Sequence, residues 1–191
     1  MRNFDELKMK KFNPQIKFFI CSMICIMSCG TKTGNFKSLD GRLLNLHEDS
    51  VNVLIFLNTE CPVCQKYQGA FRPMVSRHPE VSFAFVFCGV QNEKEVRAFC
   101  DYDSIPPAMI FTDRHYTMAR RFKASVTPQV IVLKGDKEVY SGRIDDRFRN
   151  LGASGRTPGI NYVENALFSL SGNEEIQIRH TEAVGCFIEP R

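Results

Sequence analysis

Apolar positions fall in short, separated runs along the chain, and the spacing within each run assigns an element. Val51–Leu57 is nearly unbroken and β-branched, the pattern of a strand covered on both faces, and Val81–Phe87 repeats it. Between them a helix is predicted from the Cys61–Cys64 segment through about Arg77. Asn92, with Glu93 and Glu95 behind it, opens a helix reaching about Tyr102, with acid in its first turn. A short strand at Ala108–Phe111 and a short helix from His115 to Phe122 follow. Gln129–Leu133 reads as a further strand, Gly135-Asp136 as a turn, and Glu138–Gly142 as the antiparallel return. A loop rich in Gly and Arg, 143–159, precedes a last helix from Tyr162 to Leu170, and Leu39–Leu44 reads as a small hairpin near the front. Strands alternating with helices, then a hairpin and a closing helix, predict an α/β fold whose mixed sheet is covered on both sides.

The front of the chain has a different pattern. A Lys-rich stretch ends at Lys17, and Phe18–Ser28 is an apolar run of about eleven residues, within signal-peptide range and short of the roughly 20 that span a bilayer. It closes on Ile26-Met27-Ser28-Cys29-Gly30, which resembles a bacterial lipobox with Cys29 as the lipidated residue, although Met27 is larger than usual there. An uncleaved anchor, an ordinary buried helix and a cleaved signal with an incidental Cys are the competing readings. The organisation expected is therefore a signal peptide at 1–28, the lipidated Cys29 with a tether to 37, and one domain at 38–191. Localisation follows from it: exported, lipid-anchored to a bacterial membrane, facing the periplasm or cell exterior.

Charge and cysteine content change the picture once the front is set apart. Arg2, Lys8, Lys10, Lys11 and Lys17 against Asp5 and Glu6 account for three of the formal +4, so the body is almost neutral. That excludes the basic face a nucleic-acid partner needs. Three of the eight cysteines, Cys21, Cys25 and Cys29, belong to the front. The odd set of Cys61, Cys64, Cys88, Cys100 and Cys186 makes a poor disulfide scaffold and a reasonable redox protein.

Cys61-Pro62-Val63-Cys64 leaves a buried strand and opens a helix. Unpaired amides and the macrodipole at a helix start stabilise a thiolate there, and Pro suits the first helical position. Cys61, nearest the helix end and solvent, is the expected nucleophile, and Cys64, one turn on and more buried, the resolving thiol. The competing readings are half a zinc site, for which no second ligand pair is well spaced, and two inert buried thiols.

With Val126-Thr127-Pro128 placed before a buried strand, the order of elements resembles the thioredoxin-like superfamily. The resemblance implies a thioredoxin-like fold, a cis Pro128 against the active-site sulfurs, and backbone of Thr127 and Pro128 presented to substrate. Thioredoxin's buried strand Asp corresponds to Ile55 here, and the aromatic residue before its first Cys to Glu60. Glu60 is thus a candidate for tuning the Cys61 pKa, with an exposed, solvated role as the plainer reading. Asn58–Pro62, Val126–Pro128, Tyr140–Arg147 and Thr181–Ile188 together resemble exported bacterial redoxin-domain proteins. These are of the alkyl-hydroperoxide-reductase/thiol-specific-antioxidant type, related to TlpA-like proteins.

Cys186 in that tail is either a third redox thiol reaching the site or a small packing residue. Cys88 and Cys100 are expected to be separate buried thiols. Asp145 and Asp146 with Arg143, Arg147 and Arg149 read as a solvated loop with local ion pairs, the alternative being a charged wall beside the site.

The leading functional expectation is a thiol–disulfide oxidoreductase or electron relay outside the cytoplasm. It needs no cofactor beyond the Cys61–Cys64 disulfide and no metal. Its partners are substrate protein thiols or disulfides, a membrane or periplasmic electron donor, and the membrane through its anchor. A thiol peroxidase using Cys64 is the first alternative; Cys61 standing in the peroxiredoxin Thr place and Leu57 in its Pro place count against it. A copper chaperone using Cys61, Cys64 and His180 is the second.

Overall fold

The computed structural model describes residues 36–44, 46, 50–148, 150 and 157–189. The signal segment 1–28, Cys29 as lipidation site, most of the tether, His47 and Arg149 lie outside the described residues. All those described fall within one unit, Thr33–Arg191.

The buried apolar runs form the middle of a five-stranded sheet. β1 (Val51–Leu57) lies between β2 (Ser82–Cys88), parallel to it, and β5 (Gln129–Lys134), antiparallel to it. β3 (Ile110–Asp113) adds in parallel outside β2, and β6 (Lys137–Gly142) returns antiparallel beside β5, giving the order β3-β2-β1-β5-β6. Because side chains alternate across a strand, Val53, Ile55, Leu57, Phe83, Phe85 and Phe87 face one core and Leu54, Phe56, Ala84, Val86 and Cys88 the other. The first core is covered by α1 (Pro62–Gln65), α2 (Phe71–Arg77), α3 (Glu93–Asp101) and α5 (Tyr162–Ser171). The second is covered by α4 (Thr117–Arg121), through Met118 and Ala119.

Three expectations need correction. The helix predicted from the Cys61–Cys64 segment to Arg77 is two, interrupted at Gly69 with φ +87°. A continuous helix would drive the Pro73 ring into the Gly69 carbonyl; restarting at Phe71 puts Pro73 in a first turn, where Pro is tolerated. Asp103, 2% exposed, holds the break by accepting from the Gly69 amide at 2.9 Å and the Arg72 amide at 3.1 Å. The strand predicted at Ala108–Phe111 begins later, because Pro107–Met109 forms a single 3-10 turn first. It also extends to Asp113, whose carboxylate accepts from the Thr117 amide at 2.7 Å and the Ala119 amide at 2.8 Å and so starts α4.

The third concerns Asp145, which is not in a solvated loop. It is 3% exposed, accepts the Tyr67 hydroxyl at 2.7 Å, and pairs with Arg147 at 3.4 Å. Arg147 in turn lies over the Tyr67 ring, and Tyr67 packs edge-on against Phe148, so the loop is tied to the segment behind α1. At the front, the turn at Ser38–Gly41 closes by a Lys37–Leu43 bridge, as the hairpin expectation had it, and joins the edge of β3 through Ser38 and Phe111.

The C-terminal segment makes a contact that no periodicity announced. Its His180 runs parallel to Ser141 of β6, and it then crosses to form β7 (Cys186–Phe187). β7 pairs antiparallel with a two-residue strand, β4 (Val126–Thr127), immediately before β5. Two glycines permit the approach. A Cβ at Gly142, φ +142°, would lie 2.2 Å from the Thr181 carbonyl oxygen, and one at Gly185 would lie 1.9 Å from that of Thr127.

Candidate active site

β1 ends at Leu57, and the chain turns at Asn58–Glu60 before α1. The turn is held by its own polar groups. The Asn58 side chain accepts from the Glu60 amide at 2.8 Å, its carbonyl accepts from the Cys61 amide at 3.2 Å, and Gln91 accepts from the Thr59 amide at 3.0 Å. Cys61 is thereby fixed as the N-cap of α1, with Pro62 at the first helical position. One turn on, Cys64 points into the core with no exposure, and Cys61, expected near solvent, is itself buried at 2% exposure. The Thr127–Pro128 peptide is cis, and the Cys61 sulfur lies 3.1 Å from the Thr127 carbonyl oxygen, to which only the protonated thiol donates.

All five described cysteines are free thiols, and three of them meet here. The register Thr127–Cys186 places Cys186, partly exposed, within hydrogen-bonding reach of Cys61. The electrostatics separate their roles. The Cys61 pKa is pulled down to about 4: the Cys64 thiol donates to the sulfur, burial opposes the charge, and the Cys186 thiol and the amides of Cys64 and Cys186 complete the set of donors. Cys64 moves the other way, well above the ordinary thiol range, through burial first and then its bond to Cys61 and the charge there. Cys186 is raised to about 12 by burial, by its bond to Cys61 and by that same charge. The site therefore holds one thiolate and two protonated donors.

The helix start, from which a lowered Cys61 pKa was expected, is not the main source of this shift. α1 is only four residues long, so its macrodipole is small; the donors are two thiols and two specific amides, one of them on the tail. Glu60 is exposed and its amide is tied to Asn58. Thr127 is engaged by the chain itself: its backbone pairs with Cys186, and its hydroxyl reaches the Cys186 carbonyl at 3.4 Å.

The remaining candidates are elsewhere. Cys88 and Cys100 belong to opposite faces of the sheet and are both raised by burial, Cys100 to about 12. His180 meets Ser141 through Nδ1 at 3.1 Å and is exposed. Among the described residues no three His, Cys, Asp or Glu side chains are gathered to hold a metal. Sequence reasoning missed Asn58, which also offers a backbone bond to Cys64, and Gly185. A glycine directly before a cysteine in the tail was the available signal for the second.

The two tail-related segments singled out in the sequence prove to be one structure. Tyr140 donates to the Arg143 carbonyl at 2.6 Å and meets the Thr181 hydroxyl at 2.8 Å, and the Arg143 amide donates to that hydroxyl at 2.8 Å. Tyr140–Arg143 is thus the seat on which the segment carrying Cys186 rests.

Comparison with known proteins agrees with this architecture. The sequence matches the AhpC/TSA family over residues 31–141. No curated protein matches the chain. Among solved structures, an uncharacterized conserved protein from Geobacillus kaustophilus superposes with a TM-score of 0.69 at 18% identity, covering 82% of this chain and 88% of its own. A hypothetical protein from Sinorhizobium meliloti 1021 gives 0.69 at 16% identity, over 85% and 94%. A thioredoxin-like protein from Aeropyrum pernix gives 0.55 at 15% identity, over 72% and 89%. The fold is thioredoxin-like.

Proposed function

The chain belongs to the AhpC/TSA family, and from that premise we propose that it is a thiol–disulfide oxidoreductase or electron-relay protein working through a Cys61–Cys64 dithiol/disulfide couple. The observation that carries the reading is the split between two sulfurs one helical turn apart, Cys61 held as a thiolate and Cys64 held protonated beneath it. The Cys61 thiolate attacks one sulfur of a substrate disulfide; that S–S bond breaks, a mixed disulfide forms, and the first substrate thiolate leaves. Consumption of the Cys61 charge removes two of the influences that hold the Cys64 proton. Cys64 then ionises, attacks Cys61 and displaces the second substrate thiolate. Two electrons pass to the substrate and leave a Cys61–Cys64 disulfide, which a donor dithiol reduces by the reverse steps.

The peroxidase alternative asks Cys64 to be an accessible thiolate, and its full burial and raised pKa weigh against that. The copper alternative asks His180 to join the pair, and His180 is turned to Ser141. Thr127 and Pro128 lie beside Cys61, and a substrate meets their backbone once β7, which pairs with Thr127, has moved aside. The Lys-rich front, the apolar run and Cys29-Gly30 support export and lipid anchoring. The partners are then disulfide-bearing proteins and an electron donor at the membrane or in the periplasm.

Turnover of a model protein disulfide with dithiothreitol as donor tests the reading. Catalysis should vanish in Cys61→Ser, and the unsubstituted chain, given substrate disulfide without donor, should end as a Cys61–Cys64 disulfide. Peroxide consumption that survives Cys61→Ser and is lost in Cys64→Ser would instead establish the peroxidase.

A further inference from the structure

Cys61 has two thiol neighbours of different origin, and the second is not explained by the couple just described. Cys186 arrives on the tail strand β7, opposite Thr127, whose carbonyl is 3.1 Å from the Cys61 sulfur. The placement is built rather than incidental. Gly185 brings the tail backbone against Thr127 where any side chain would collide, Ile188 donates to the Ser125 carbonyl at 2.8 Å, and Thr181 seats the segment on Tyr140 and Arg143. A strand paired beside the nucleophile with a cysteine facing it has the geometry of a mixed-disulfide partner, supplied here by the chain itself.

We propose that Cys186 is a second resolving thiol, so that Cys61 alternates between two mutually exclusive disulfides, one with Cys64 and one with Cys186. The proposal rests on the oxidoreductase reading and adds a step to it. After Cys61 has attacked a substrate disulfide and the first substrate thiolate has left, Cys186 gives its proton to solvent and attacks the Cys61 sulfur. The Cys61–substrate bond breaks, the Cys61–Cys186 bond forms, and the second substrate thiolate leaves and is protonated. The substrate disulfide is the oxidant; it gains two electrons, and Cys61 with Cys186 loses two. Cys64 then attacks Cys61 and displaces Cys186, an exchange with no net change in oxidation state, which stores the disulfide in the core and frees the tail.

Burial favours this order. Cys64 is fully buried and Cys186 is partly exposed, so once the Cys61 charge is consumed the tail thiol ionises more readily. Each exchange also has its sulfurs already adjacent, which is where tethering accelerates thiol chemistry most.

The test uses the full chain carrying Cys64→Ser, treated with one equivalent of a chromogenic aryl disulfide at neutral pH and mapped by mass spectrometry. Two chromophores should be released per Cys61, with a Cys61–Cys186 linked peptide as product. In the Cys64→Ser/Cys186→Ser chain the second release should slow by at least about tenfold, because the tethered thiol is gone. A persistent Cys61 adduct with no linked peptide in Cys64→Ser overturns the Cys186 step. It leaves the couple standing if the unsubstituted chain still forms the Cys61–Cys64 link. Failure of Cys61 to react in either chain overturns both. Should Cys64→Ser misfold, acid quenching of the unsubstituted chain at early times decides: Cys61–Cys186 must appear and then give way to Cys61–Cys64, and the latter alone at all times overturns the proposal.

Discussion

Gly185→Ala perturbs the site without touching a sulfur, and its effect follows from one distance. The new Cβ would lie 1.9 Å from the Thr127 carbonyl oxygen, 2.6 Å from its carbon and 3.1 Å from the Pro128 nitrogen. Nonbonded atoms prefer about 3.5 Å, so one of the two backbones must retreat by more than about 1 Å. Thr127 is held between Cys61 and the start of β5, whereas β7 is a two-residue strand near the chain end. The tail should therefore give way. Losing its few backbone hydrogen bonds, each contributing about 0.5–1.5 kcal/mol, lowers stability by about 1–3 kcal/mol. Withdrawal also removes the Cys186 thiol and amide from Cys61 while the Cys64 thiol stays. A hydrogen bond to a charged group is worth about 1.5–3 kcal/mol, or about 1–2 pH units. Two such donors leave, so the Cys61 pKa should rise toward about 6–8 and stay below the ordinary thiol value of about 8.5. Ultraviolet thiolate absorbance against pH, referenced to Cys61→Ser, reads the shift, and urea denaturation reads the stability. A folded Gly185→Ala chain with an unmoved Cys61 titration would show that β7 does not govern the site.

Three further outcomes follow from the same contacts. In the unsubstituted chain the Cys61 thiolate signal should titrate near 4 and be flat from about pH 6 to 8, where an unperturbed thiol would be gaining it steeply. Cys186→Ala removes a donor that stabilises the reduced form, so the Cys61–Cys64 potential should become more negative by about 30 mV, as measured in glutathione buffers. Asp103→Ala leaves the Gly69 and Arg72 amides without their acceptor between α1 and α2, and the denaturation midpoint should fall by the equivalent of about 1–3 kcal/mol.

Local signals were enough for much of the fold. Val51–Leu57, Val81–Phe87 and Gln129–Leu133 carry their strand assignments in composition, and each agrees with β1, β2 and β5 to within a residue. The Cys61–Cys64 spacing and Thr127-Pro128 are likewise short motifs with a fixed place relative to those strands. What escaped was long-range. β4 and β7 have two residues each, too few for any period, and their partners stand 59 residues apart in the Thr127–Cys186 contact. The burial of Asp145 depends on Tyr67, 78 residues earlier, and a run of Asp and Arg looks solvated until that partner is in place. The break at Gly69 was readable in principle, since Pro73 stands four residues later and forbids a continuous helix.

The most direct measurement is the equilibrium of the Cys61–Cys64 couple itself. The full chain is poised in graded glutathione and dithiothreitol buffers, acid-quenched, alkylated under denaturing conditions and mapped by mass spectrometry. A reversible two-electron transition is predicted, in which Cys61 and Cys64 lose alkylation together as one linked peptide, absent in Cys61→Ser, while Cys88 and Cys100 remain alkylated throughout. Persistence of Cys61 and Cys64 as separate alkylated thiols across the whole range would contradict the account.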